Sequence, residues 1–255
     1  MNNRIEVVLF ISILVNILFV LSGAFFIAKK HRVLYIRRKI NAIINTKHND
    51  FKTHYPPYYF HQKSQFKILP KFDSDIIFLG DSITDECEWA ELLENPNVKN
   101  RGISGDTIDR ILNRLDEIVG SKPKKIFLMV GINDFLNSGK SVRKTLQDYK
   151  KILLEIQRST PNTQVFIESV LPVNNKINKF LLNNNTVIKF NDSLKELAKE
   201  LSFEYINLFS HLADSQNQLD ARYTFDGVHL NGQAYLVWKE VIEKYVVDPE
   251  VRNSV

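Results

Sequence analysis

Hydrophobic positions fall into two regimes along this chain. Residues 7–28, VVLFISILVNILFVLSGAFFIA, carry no charge, and Asn16 is the only strongly polar side chain among them. A helix needs about 20 mostly apolar residues to cross the hydrocarbon core of a bilayer, so the run predicts one N-terminal transmembrane helix. A cleaved signal peptide competes with this reading, because Ser22-Gly23-Ala24 could pass for a small-x-small cleavage site. The run exceeds the roughly 7–15 residues of a signal-peptide core, and the n-region holds only Arg4, partly offset by Glu6. Length and flanks together favour a retained anchor.

After residue 28 the pattern turns periodic. Val33, Ile36, Ile40 and Ile43 recur at helical spacing with basic residues between them. This suits a helix that continues from the span or lies on an anionic leaflet, and a solvated charged linker fits as well. Residues 46–65, with Tyr55-Pro56-Pro57-Tyr58-Tyr59, read as a linker packing onto the next domain.

From about residue 66 short apolar runs alternate with helical patterns. The strand signals are Ile76 to Leu79, Val98 to Asn100, Lys125 to Val130, Gln164 to Val170 and Phe203 to Leu208. Helical patterns cover Thr107 to Val119, Ser141 to Arg158, Val187 to Leu201 and Gly232 to Val246. Ser141 suits an N-cap, and the second helix must stop before Pro161. Strands separated by helices imply parallel pairing through right-handed crossovers. The expected fold class is therefore α/β: a three-layer α/β/α sandwich with a parallel, flavodoxin-like sheet, preceded by the transmembrane helix. The implied organisation is an anchor with its basic flank over 1–31, a juxtamembrane helix and linker over 32–65, the α/β domain over 66–248 and a tail over 249–255.

Charge changes the picture in one place. The net charge is +5, but Lys29, Lys30, Arg32, Arg37, Arg38 and Lys39 fall within eleven residues that contain no acid. Without those six the remainder stands at −1, so the basic character is local and argues against nucleic acid as a partner. The cluster far outweighs Arg4 and places the C-terminal domain on the cytoplasmic side by the positive-inside rule. Cys87 is the only cysteine, so no intrachain disulfide forms; a small, partly buried apolar residue describes it better than a reactive thiol.

Ligand sites in α/β folds lie outside the carboxyl ends of the strands. Four small polar clusters fall there: Gly80-Asp81-Ser82, Gly102-Ile103-Ser104-Gly105-Asp106-Thr107, Gly131-Ile132-Asn133-Asp134 and, before the last helix, Asp226-Gly227-Val228-His229. Each alone is an ordinary turn; together they supply what ester hydrolysis needs. Ser82 is the candidate nucleophile, His229 its base, and Asp226 the group that orients the imidazole. Backbone N–H groups of Ser82 and Gly105 and the Asn133 amide are candidate donors to an oxyanion. Asp81 and Asp134 suit tying down loop backbone, and Asp81 also counts as a pocket candidate. Trp89 and Asn174 are further pocket candidates, though Trp89 suits the core equally. No clustered His, Cys and Glu set has metal-ligand spacing, so neither metal nor other cofactor is expected.

Across about residues 74–246 these blocks resemble the SGNH hydrolases, also called GDSL esterases or lipases. Gly80-Asp81-Ser82 matches the first block, with Ile83 in place of the eponymous Leu. The resemblance implies that Gly105 is the oxyanion glycine, Asn133 the oxyanion asparagine and Asp226-Gly227-Val228-His229 the acid–base pair. A general α/β-hydrolase fits poorly, because its elbow requires Gly-x-Ser-x-Gly and position 84 is Thr. Within the superfamily the wording GISGDT, VGIND and DGVHLN is similar to platelet-activating-factor acetylhydrolase catalytic subunits and bacterial carbohydrate acetylesterases. That likeness implies small acyl esters, acetyl foremost; it does not identify the alcohol, for which an acetylated glycan and an acetylated lipid both stand as candidates.

The expectation is thus a membrane-anchored serine esterase working through an acyl-enzyme. An O-acyltransferase or thioesterase would use the same residues, with another acceptor or leaving group. A membrane-tethered ligand-binding module is the non-enzymatic alternative, and the complete set of four blocks counts against it.

Overall fold

The computed structural model describes residues 55–247. The predicted span 7–28, the periodic run 33–43 and the tail 249–255 lie outside the described residues. Among the described residues no helix is long and apolar enough to cross a membrane.

Ile76–Gly80 (β1), Val98–Gly102 (β2), Lys125–Met129 (β3), Gln164–Glu168 (β4) and Glu204–Ile206 (β5) pair in parallel, in the order β2-β1-β3-β4-β5. This is the flavodoxin-like order, whose switch point lies between β1 and β3. Every residue of β1 and β3 is buried, as strands covered on both faces require. The helices are Pro57–Ile68 (α1), Ser82–Asp85 (α2), Trp89–Leu92 (α3), Ile108–Leu112 (α4), Leu115–Val119 (α5), Ile132–Leu136 (α6), Val142–Ser159 (α7), Asn184–Leu201 (α8), Phe209–Leu212 (α9) and Gly232–Val246 (α10).

Phe78, Phe127 and Phe166 are register partners on β1, β3 and β4, and their rings stack 4.7 and 4.6 Å apart across the sheet. Trp89 stacks on Phe78 at 4.3 Å, Trp238 of α10 meets Trp89 at 4.8 Å, and Tyr245 meets Phe166 at 5.2 Å. Large flat side chains thus fill the layer between sheet and α10 with offset and edge contacts. On the other face α7 and α8 pack together, and Tyr149 of α7 donates to Leu128 O at 3.3 Å. The buried Lys125 ammonium donates to Tyr245 O and Val246 O at 2.8 and 3.0 Å, satisfying carbonyls that the last turn of α10 leaves open.

Several boundaries depart from the sequence pattern. The single helix expected over Thr107–Val119 is two, α4 and α5, and the break falls where Arg114 leaves the helical surface for the interior (backbone φ −127°, ψ 9°). β4 stops at Glu168 rather than Val170, because a side chain of α8 replaces its neighbour: the Asn191 amide bonds both Val170 N and Val170 O. β5 pairs over three residues only. The stretch read as linker runs into α1, whose Tyr59 and Phe66 are buried. Helix α8 starts earlier than expected, with Asn183 as N-cap accepting from Asn185 N at 2.9 Å.

Candidate active site

Gly80, the last residue of β1, lies level with Gly102 on β2 and Met129 on β3, so the loops that follow these strands start side by side. A Cβ on Gly80 would sit 2.1 Å from Thr84 Oγ1, and one on Gly102 would sit 2.3 Å from Asp85 N. Only glycines let the one-turn helix α2 fold back this closely. Ser82 is its first residue and is 6% exposed. Asp81 caps the helix by accepting from Ile83 N at 3.1 Å. Three groups hold α2 from outside: the Asn100 amide donates to Thr84 O, Asp85 O and Cys87 O, Trp89 Nε1 donates to Thr84 O, and Tyr235 OH donates to Ile83 O at 2.8 Å.

The loop before α10 supplies the partners of Ser82. Asp226 Oδ1 accepts from Val228 N and His229 N at 2.9 and 2.8 Å, and Oδ2 lies 2.6 Å from His229 Nδ1. Burial opposes ionisation of Asp226, but the His229 ring and these N–H groups outweigh it and hold the carboxyl at about 2. A carboxylate only accepts, so Nδ1 carries the proton and Nε2 is free to accept. Ser82 Oγ lies 3.0 Å from Nε2. Glu86 Oε1 is 3.8 Å from the same nitrogen. The loop is fixed by Asn174 N donating to Gly227 O at 2.7 Å and by Gly227 N donating to Thr224 Oγ1 at 2.9 Å.

Gly105 adopts φ +79°, and among the described residues no acceptor takes its N–H. Asn133 donates from Nδ2 to Asp106 O at 3.0 Å, and its Oδ1 accepts from Asn137 one turn later, which fixes the direction of the amide. Asp106 is buried with Arg114, Nε to Oδ2 2.8 Å, while Arg114 Nη2 donates to Gly80 O and Arg101 O. Burial pushes Asp106 up to about 6 even against the Arg114 charge, and pushes Asp81 up to about 7 despite the Ile83 N–H.

The structure therefore brings Ser82, His229 and Asp226 into one chain of contacts and links Asn133 to the turn that carries Gly105. The side chains of the pocket candidates are taken up by structural contacts. Trp89 is 1% exposed in the aromatic layer. Asn174 spends its side chain on Leu219 O, Lys176 N and Ile177 N. Asp81 is a cap, and Asp134 accepts from Ile108 N and from Lys140 Nζ. Cys87 is buried, and burial together with Glu88 pushes its thiol up to about 12. Asp85, Asn100, Arg114, Asn137 and Tyr235 were not singled out in the sequence. For Asn137 a signal existed in its spacing from Asn133; a lone arginine within an amphipathic pattern carries none.

Residues 78–237 match the model of the GDSL-like lipase/acylhydrolase family. The α2 subunit of platelet-activating factor acetylhydrolase IB from Rattus norvegicus is 28% identical over 170 residues, 64% of this chain and 72% of the relative. N-acylneuraminate cytidylyltransferase from Escherichia coli is 28% identical over 183 residues; the match takes in 69% of this chain but spans only 42% of that protein's length. A solved structure from Streptococcus pneumonia superimposes with a TM-score of 0.68 at 25% identity, covering 81% of this chain and 99% of that one.

Proposed function

The chain belongs to the GDSL-like lipase/acylhydrolase family, and from that premise we propose that it is a membrane-anchored serine esterase of short acyl, foremost acetyl, esters. The contacts Asp226–His229–Ser82 at 2.6 and 3.0 Å carry the reading. Ser82 Oγ attacks the acyl carbonyl and passes its proton to His229 Nε2. Asp226, ionised and bonded to Nδ1–H, stabilises the imidazolium that results. The oxyanion takes hydrogen bonds from Ser82 N–H, Gly105 N–H and the second hydrogen of Asn133 Nδ2, each worth about 3–4 kcal/mol of barrier. Collapse expels the alcohol, which leaves with the proton from Nε2. Water then repeats the sequence on the acyl-enzyme, releasing acid and free Ser82.

The acetylhydrolase activity for which the Rattus norvegicus relative is named supports the acetyl preference. The anchor rests on the uncharged run 7–28, and a cytoplasmic catalytic domain rests on the basic cluster after it. The test of the reading is hydrolysis of p-nitrophenyl acetate, butyrate and octanoate by the full chain in detergent, beside Ser82→Ala. Turnover highest on acetate and absent from the variant supports it; equal rates in both refute it. Alkaline extraction of membranes tests the anchor, which predicts retention in the pellet and release after deletion of residues 1–31. C-terminal reporters, one active only in cytoplasm and one only outside it, test the face.

A further inference from the structure

Helix α1 lies ahead of the segment the family match covers, yet its side chains hold residues that bond the turn that carries Gly105. Tyr58 OH donates to Asp85 Oδ1 at 3.1 Å. Gln62 Nε2 donates to the same phenol oxygen at 2.9 Å, which directs the Tyr58 proton to the carboxylate. The other oxygen of Asp85, Oδ2, accepts from Ser104 N at 3.0 Å. A second line runs through the fully buried Tyr59, whose OH donates to Arg110 O at 3.1 Å and accepts from Asn113 Nδ2 at 3.3 Å. Lys63 Nζ donates to Asn113 O beside it. Arg110 Nη1 in turn donates to Gly105 O at 2.7 Å. Ser104 N and Gly105 O, on either side of the peptide whose N–H belongs to Gly105, are each held by a residue that α1 holds.

We infer that α1 is a brace for the oxyanion turn and that Tyr58 is a positioning residue, acting through Asp85 on the Ser104-Gly105 peptide. This rests on the reading of Gly105 as an oxyanion donor. The turn contains a left-handed glycine, which has the widest choice of alternative conformations, so external tethers decide where its N–H points. The Asp85 carboxylate bridges Tyr58 and Ser104 and also ends the helix that begins with Ser82. Without the phenol proton the carboxylate is free to turn toward water, and Ser104 N loses a fixed acceptor. A donor that serves only the transition state affects kcat and leaves substrate affinity alone.

The test uses the full chain with Tyr58→Phe, which removes the hydroxyl and keeps the ring. The expected kcat on p-nitrophenyl acetate falls about three- to tenfold, as for loss of one hydrogen bond, with KM within about twofold. In a Gly105→Ala background, where a Cβ at φ +79° strains the turn and shifts the same N–H, the same change costs less. Amide hydrogen exchange of the peptide holding Ser104 and Gly105 speeds up in Tyr58→Phe while the strands keep their protection. Unchanged exchange there, an unchanged kcat, or an undiminished loss in the Gly105→Ala background overturns the inference. If wild type shows no turnover, the esterase reading falls, and the exchange arm still decides whether Tyr58 holds the turn.

Discussion

Arg114 and Asp106 form an ion pair closed to solvent, with Nε and Oδ2 2.8 Å apart and side chains 1% and 0% exposed. From this pair the guanidinium reaches the carbonyls of Gly80 and Arg101, so one buried charge fixes the ends of β1 and β2 below the candidate site. Removing one partner strands the other charge. Arg114→Met should lower unfolding free energy by about 3–5 kcal/mol in urea titration. Asp106 Oδ1 and Arg114 Nη1 find no partner among the described residues, so the pair is incompletely satisfied. The double change Arg114→Met with Asp106→Leu should therefore cost less than Arg114→Met alone, and a cost equal to the sum of both singles would refute this.

Asn133 is oriented by Asn137, whose Nδ2 donates to its Oδ1 at 3.0 Å. Asn133→Ala should lower kcat by about 10²–10³, as for loss of one oxyanion donor. Asn137→Ala leaves the amide in place and frees its rotation, so its kcat should fall by about tenfold or less with KM unchanged. Steady-state kinetics on p-nitrophenyl acetate check both, and a larger effect at Asn137 than at Asn133 would contradict the assignment.

These two cases mark where the sequence stops being legible. The blocks at Ser82, Gly105 and Asn133 follow strand ends and the block at His229 precedes the last helix, so local pattern and topology together locate them. The strands of the core were readable for the same reason, since β1 and β3 are continuous apolar runs. Arg114 could not be read, because its role depends on carbonyls 13 and 34 residues away in sequence. Asn184 lies in a run of three asparagines with no periodicity to mark it, yet its side chain bonds Val173 N and Val173 O. Helix α1 was hidden by its composition, since an even mixture of aromatic, polar and basic residues gives weak periodicity.

Glu168 is buried at the end of β4 with Trp238 Nε1 donating to it at 2.7 Å. Burial pushes its carboxyl up to about 8, against that hydrogen bond. A folded-state value raised above the unfolded one contributes stability that is full below about 4.5 and is lost as pH rises through about 8. By pH 7 the loss amounts to roughly 3 kcal/mol. Wild-type melting temperature should fall between about pH 5 and about pH 8. Glu168→Gln should match wild type near the acid end and exceed it near the alkaline end. Parallel melting curves for the two proteins would contradict this.

Cys87 is buried, and its thiol is pushed up to about 12, so little thiolate exists near neutral pH. Iodoacetamide on the native chain should leave intact mass and ester turnover unchanged, while the urea-unfolded chain takes up one adduct. Rapid native modification with loss of turnover would place a reactive thiol at the site instead.

The most direct test of the central claim is to trap the nucleophile. The full chain is treated with a fluorophosphonate, and the adduct is located by peptide mass mapping. The account predicts a single adduct on Ser82 that is lost in His229→Ala and reduced in Asp226→Ala. An adduct on another residue, or ester turnover that persists in Ser82→Ala, would contradict it.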